Sequence, residues 1–253
     1  MLPRPQDGLS RTPATIALLG AAGALAVHAL PALSNVDAVR HRLLPGLAGV
    51  GAPGHVALTF DDGPDPRSTP AFLEALDRLG IRATFFMLGS MVDRAPALAA
   101  EVAAAGHEIA VHGYEHRSQL FRIGRVVADD VARALDVVAS RTGQHPIWFR
   151  PPYGTLSAAR VLAARRQKLR TVLWTTWGRD WRAEATPDTV VADVARQLGP
   201  GGTVLLHDSD CTSAPGSWRS ALDALPRLAE LFAARGLTPG PLREHGTRGA
   251  TPG

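Results

Sequence analysis

The chain has 253 residues, 45% of them hydrophobic, which is enough for one full core without covalent staples. Its single cysteine, Cys211, excludes a disulfide-built fold. The net charge is +4 and the pI about 10.1. Lys168 is nevertheless the only lysine, and no basic block alternates with aromatic residues, so a nucleic-acid binder is excluded.

Residues 1–12 read as a short basic tail carrying Arg4 and Arg11. Residues 13–33 contain no charged side chain and are long enough for a transmembrane anchor or a signal peptide. Either reading exports the rest of the chain, as a secreted protein or one anchored in the membrane and facing outward. A basic surface suits an anionic cell envelope. Pro45, Gly46, Gly49, Gly51, Pro53 and Gly54 mark 34–54 as a linker.

From residue 55 short apolar strands alternate with helical stretches. Strands are predicted over 56–60, 83–88, 108–111, 147–149, 171–175 and 203–207. Thr69 followed by Pro70 reads as a helix cap, and Phe72, Leu73, Leu76 and Leu79 follow at helical spacing up to Gly80. Further helices are predicted over 96–105, 126–142, 157–167, 187–198 and 217–235. Repeated βα units imply a single domain over 55–240 with a mainly parallel sheet or barrel. Residues 241–253 read as a flexible tail, and the protein is expected to act as a monomer.

In such folds chemistry gathers at the carboxyl ends of the strands. There the sequence places Asp61 and Asp62, His112 and His116, Arg150, Asp180 and His207. Two adjacent buried carboxylates repel each other and lose hydration, so they need a cation or a proton to move. His112 and His116, four apart, would point the same way on a helical turn. Gly113 after the first histidine rules out the zinc-protease motif. With one of the two aspartates they make a two-histidine, one-carboxylate set that leaves positions open for water and substrate. The other aspartate is then a base, and alternation along the strand end would send the two side chains different ways. Arg150 supplies an opposite charge. His207 is the candidate general acid, with Asp180 as its partner.

Five blocks carry a resemblance. Thr59-Phe60-Asp61-Asp62-Gly63, His112-Gly113-Tyr114-Glu115-His116, Arg150-Pro151-Pro152-Tyr153-Gly154, Asp180-Trp181 and Leu205-Leu206-His207-Asp208 stand in order along 55–237. Together they resemble the polysaccharide deacetylases with a NodB homology domain, carbohydrate esterase family 4. The resemblance implies a deformed (β/α)7 barrel that removes acetyl groups from N-acetylated amino sugars of an envelope or extracellular glycan, peptidoglycan or chitin-like. It implies Asp61 as general base, and Asp62, His112 and His116 as ligands of a divalent metal, zinc. It implies His207 as general acid supported by Asp180, Arg150 as support of Asp61, and the Tyr153 backbone N–H as oxyanion donor. Pro151, Tyr153, Trp181 and Leu205 would meet the substrate. Two positions depart from the pattern. Gly113 stands where the family usually has Ser or Thr, and Trp177 stands where the fourth block often begins with an acid.

The remaining polar residues read as structural. Asp65 is a turn residue, His107 lies at a strand start, Glu115, Asp129 and Asp130 face solvent, and Cys211 is an inert side chain near the pocket. His28, His41, His55, His145 and His245 carry no motif. Three alternatives remain open on the residues alone. The same chemistry could serve O-acetylated xylan or a small cyclic amide. A non-heme Fe(II) oxygenase would use the two histidines and a carboxylate but leave Asp61 and His207 idle. A catalytically inactive glycan-binding module would need none of these groups.

Overall fold

The computed structural model describes residues 23, 25–120, 122 and 124–247. The tail over 1–12 and residues 13–22 and 24 of the apolar stretch lie outside these. Among the described residues no helix is long and apolar enough to cross a membrane.

The expected linker is structured. A 3-10 turn, Leu30–Asn35, leads into helices α1 (Asp37–Leu43) and α2 (Pro45–Ala48). Arg40 is 2% exposed, with Nε donating to Trp174 O at 3.0 Å and Nη1 to Ser34 O at 2.9 Å. The glycines that suggested a linker serve close approach instead. Gly49 ends α2 in the left-handed region at φ 78°, and a side chain there would meet Thr203 Oγ1 at 2.6 Å.

The barrel follows as β1 (His55–Asp61), α3 (Thr69–Arg78), β2 (Thr84–Met87), α4 (Gly89–Arg94), α5 (Pro96–Ala104), β3 (Glu108–Val111), α6 (Arg125–Thr142) and β4 (Trp148–Phe149). It continues as α7 (Ala158–Arg166), β5 (Arg170–Thr171), β6 (Thr176–Trp177), α8 (Pro187–Gln197), β7 (Thr203–His207), α9 (Trp218–Ala234) and β8 (Thr238–Gly240). All described pairings are parallel, in the order β5-β4-β3-β2-β1-β7-β6. This curled sheet with outer helices is a deformed (β/α)7 barrel. The continuous apolar run of β1 suits a strand covered on both sides, and Phe60 packs on Phe72 and Phe85 at centroid distances of 5.2 and 5.1 Å.

The single strand expected over 171–175 is two strands that form opposite edges of the sheet. Between them Leu173 O accepts from Arg150 Nη2 at 2.8 Å and Leu173 N–H donates to Leu47 O at 2.7 Å. Both ladder groups of Leu173 are thus engaged elsewhere, and α2 covers the seam. Thr69 does not cap α3, which begins after Ser68. Its hydroxyl accepts from Asp65 N–H at 2.8 Å and donates to Asp208 Oδ2 at 2.6 Å.

The expected flexible tail is anchored as far as residue 247. β8 pairs with the start of β1, Leu242 is 1% and His245 0% exposed, and Leu242 N–H donates to Thr84 Oγ1 at 2.8 Å. Residues 248–253 lie outside the described part.

Candidate active site

Asp61 is the last residue of β1, and Asp62 follows at φ 80°. The expected strand alternation does not operate here. The positive φ turns the chain so that both carboxylates line the same cavity, of about 560 Å³. His112 and His116 reach it from the loop after β3, not from a helical turn, because Gly113 at φ 94° breaks helical geometry between them. Arg150 follows β4, Asp180 follows β6, and His207 ends β7.

Asp61 and Arg150 form a buried pair, Nη1 to Oδ1 at 2.7 Å. The same Nη1 donates to Thr59 Oγ1 at 2.8 Å, and the Thr59 hydroxyl donates onward to Val204 O at 2.7 Å. Burial pulls the Arg150 pKa down, and the charge and hydrogen bond of Asp61 oppose it. The guanidinium also lies over the Phe86 ring, 4.0 Å from its centroid. These contacts fix Asp61 Oδ1 and leave Oδ2 facing His112, 3.7 Å from its Nε2.

Asp62 Oδ1 lies 3.4 Å from Nε2 of both His112 and His116. It is buried and without a hydrogen-bond partner. The other oxygen, Oδ2, accepts from Thr212 Oγ1 at 3.0 Å. His112 Nδ1 must carry its proton, since it meets the Arg150 carbonyl at 2.8 Å, so Nε2 presents a lone pair. Burial, the largest influence on each, acts in opposite directions on these groups. It pushes the Asp62 pKa up, but the close approach of His112, and then the neighbouring His207 and His116 rings, carry it below the usual carboxylate range. It pulls His116 down to about 4, so that imidazole is neutral at pH 7. A bare carboxylate oxygen and two imidazole nitrogens, all within 4.8 Å of one another, fit a divalent cation such as zinc. An orphaned buried carboxylate oxygen is costly without one.

Across the cavity His207 donates its backbone N–H to Asp180 Oδ2 at 2.7 Å and pairs through Nδ1 with Oδ1 at 3.0 Å. Burial disfavours the imidazolium. The Asp180 charge and hydrogen bond outweigh it, with Asp62 and Asp61 adding, and the pKa is pushed up to about 10. Tyr153 sits in the turn Pro152–Gly154 at φ 58°, exposed, its ring 4.3 Å from that of His116. Tyr153, Trp181 and Leu205 line the cavity. Pro151 does not: it is buried below the rim in an extended conformation that leads the chain into the Tyr153 turn.

Several residues were not anticipated from the sequence. Thr212, in the loop after β7, orients Asp62. Asp130 does not simply face solvent. It is half-buried on α6, and burial raises its pKa while the Arg160 charge, the first of the opposing influences, lowers it. A Cβ at Gly113 would lie 3.3 Å from Asp130 Oδ2, a buried atom without a partner, and the φ of 94° there would strain any other residue. Asp37 and Arg40 of α1 and Trp174 and Trp177 also line the cavity. Cys211 Sγ lies 3.8 Å from Asp62 O, and burial first, then the Asp62 charge, pushes its thiol up to about 12, so it stays protonated.

Comparison with known proteins agrees with this geometry. A family model described as polysaccharide deacetylase matches residues 49–172. The chain is 36% identical over 173 residues to a chitooligosaccharide deacetylase of Bradyrhizobium, covering 68% of this chain and 77% of the relative. It is 31% identical over 186 residues to a peptidoglycan-N-acetylglucosamine deacetylase of Bacillus cereus, covering 72% of this chain but 64% of that protein's length. A crystal structure of a peptidoglycan N-acetylglucosamine deacetylase, in complex with an N-hydroxybenzamide, superposes with a TM-score of 0.70 at 28% identity, over 77% of this chain and 90% of the other. With 77% of a relative matched at 36% identity, the chain belongs to the polysaccharide deacetylase family.

Proposed function

We propose that this protein is a metal-dependent hydrolase that removes acetyl groups from N-acetylated amino sugars of a cell-envelope or extracellular glycan. One observation carries the reading. Around a single cavity stand a carboxylate held by arginine (Asp61), a bare carboxylate oxygen facing two imidazoles (Asp62), and an imidazole held protonated by a second carboxylate (His207 with Asp180). Metal-assisted hydrolysis of an amide uses all three: a base for water, a Lewis acid and a proton donor for the departing amine.

Asp62, His112 and His116 would hold the cation. When bound, it supplies Lewis acidity at the acetamide carbonyl and acidifies water at the site. Asp61 takes the proton of the attacking water on Oδ2 while Arg150 keeps Oδ1 engaged. The Tyr153 backbone N–H, carried by the positive-φ turn, donates to the developing oxyanion; one such donor is worth about 10²–10³ in rate. His207, its Nδ1 held by Asp180, gives the Nε2 proton to the leaving nitrogen, and acetate and a free amino sugar result. Trp181 and Leu205 border the acetyl methyl. The Bradyrhizobium and Bacillus cereus relatives are deacetylases of chitooligosaccharides and of peptidoglycan, and both substrate types belong in the first assay. The uncharged segment 13–33 supports export, secreted or anchored, and the protein is taken to act as a monomer.

The test is acetate release by the full chain, with zinc and after chelation, from N-acetylglucosamine oligomers, peptidoglycan and acetylxylan side by side. Zinc-dependent release from the N-acetylated glycans supports the reading. Release from acetylxylan alone moves the protein to ester substrates, and Fe(II)-dependent oxygen consumption would replace the hydrolase reading altogether.

A further inference from the structure

Arg150 holds Asp61 with one arm of a rigid planar fork, Nη1 on Oδ1 at 2.7 Å. The other arm, Nη2, donates to Leu173 O at 2.8 Å, and Nε has no partner among the described residues. A shift of the Leu173 carbonyl therefore tilts the fork and moves Nη1 against Asp61. Leu173 lies between β5 and β6, which stand at opposite edges of the sheet, so no neighbouring strand fixes its carbonyl.

What fixes it comes from ahead of the barrel. Leu173 N–H donates to Leu47 O at 2.7 Å, and the next carbonyl, Trp174 O, accepts from Arg40 Nε at 3.0 Å. Arg40 is itself tied down. It is 2% exposed, with Nη1 on Ser34 O at 2.9 Å and Nη2 on Asp37 Oδ1 at 2.5 Å. Its guanidinium and that of Arg150 both lie over the Trp174 ring, 5.3 and 6.0 Å from the centroid. Arg40 thus reaches the base through two adjoining peptide units and one guanidinium. Arg40 and Leu47 both precede the stretch that the family model matches, residues 49–172.

We propose that Arg40 is a positioning residue for the general base. By holding the Trp174 carbonyl it sets the Leu173 carbonyl, and through it the Arg150 fork that aims Asp61. The role of Asp61 rests on the deacetylase reading of the same cavity, whereas the link from Arg40 to Arg150 can be read without any substrate.

The test uses the full zinc-loaded chain as wild type, Arg40→Met and Arg40→Lys, each shown folded by its thermal transition. In heteronuclear NMR the Nη signals of Arg150, assigned by their loss in Arg150→Lys, should be separate in wild type, where both arms are held. They should merge in Arg40→Met as the fork loosens. With the N-acetylglucosamine tetramer, kcat of Arg40→Met should fall about tenfold while KM and zinc affinity stay near wild type, since misplacing a reacting group slightly costs that much or more. In an Asp61→Asn background the same substitution should cost little, because a side chain that cannot take the proton gains nothing from being aimed. Arg40→Lys keeps the charge but not the planar fork; it should fall between, and it carries the test if Arg40→Met does not fold. Arg150 signals that stay separate, or an equal loss of kcat with and without the Asp61 carboxylate, would overturn the proposal. Merged signals together with no acetate release by any of the proteins would leave the link from Arg40 to Arg150 standing and sink the deacetylase reading.

Discussion

The Asp180 carboxylate grips His207 twice, accepting from its backbone N–H at 2.7 Å and pairing with Nδ1 at 3.0 Å. The double contact fixes the ring's orientation as well as its charge. His207 reaches a pKa of about 10 against an ordinary 6.5, although burial alone would lower it. Because the folded value is raised, the stabilisation from this pair is complete below pH 6.5 and fades as pH rises through about 10.

Asp180→Asn should therefore pull the alkaline limb of the kcat/KM profile down toward neutrality, since the proton donor then loses its proton at lower pH. The rate at neutral pH should fall by about 10²-fold or more, in line with the usual worth of general acid catalysis. A pH series on wild type and variant reads both effects. An unmoved alkaline limb would mean that His207 is not the group that titrates there.

Thr212 touches the oxygen of Asp62 that faces away from the histidines. Residues that orient a ligand typically cost 10–100-fold in metal affinity when removed, and about that loss is expected for Thr212→Val in a competitive chelator titration. Thr212→Ser, which keeps the hydroxyl, should bind zinc nearly as wild type. Asp62→Ala should bind no zinc under the same conditions.

Arg40 makes three hydrogen bonds from a buried position, two to backbone carbonyls and one to Asp37. Arg40→Met leaves the Trp174 and Ser34 carbonyls without that donor, and a loss of about 1–3 kcal/mol is expected in urea unfolding. A chain beginning at Gly51 also loses the bond from Leu173 N–H to Leu47 O and that from Thr203 Oγ1 to Gly49 O. It should unfold at distinctly lower urea than the full chain. Equal midpoints would show that the segment before the barrel is only a tether.

His245 is fully buried, with its ring on the Gly49 and Gly201 carbonyls and 2.8 Å from His55. Burial first, then the neighbouring His55, holds it near a pKa of about 4. With the folded value below the ordinary 6.5, its contribution is present above pH 6.5 and lost as pH falls through about 4. Acid unfolding should become less steep over that window in His245→Gln, as read by circular dichroism.

The sequence carried much of this protein where the signal is local. β3 and β7 have the expected limits because short apolar runs between turn residues specify them. The site residues stand at strand ends because parallel βα units put them there. What escaped was set by distant partners. The 171–175 strand broke because Arg150 and Leu47 take the polar groups of Leu173. The 34–54 glycines looked like a linker because nothing local reveals that Gly49 packs against Thr203. Thr212 had no motif, being 150 residues from the carboxylate it holds. The two aspartates were legible as a pair, but their shared orientation depends on one backbone angle, φ 80° at Asp62.

The central claim is the division of labour between those two aspartates, and Asp61→Asn tests it most directly. The amide keeps the shape and can still meet Arg150 but cannot accept a proton from water. With zinc binding measured alongside, acetate release from the N-acetylglucosamine tetramer should fall by about 10²–10⁴-fold while zinc affinity stays near wild type. Activity retained in a zinc-loaded Asp61→Asn protein, or loss of zinc on this substitution, would contradict the assignment.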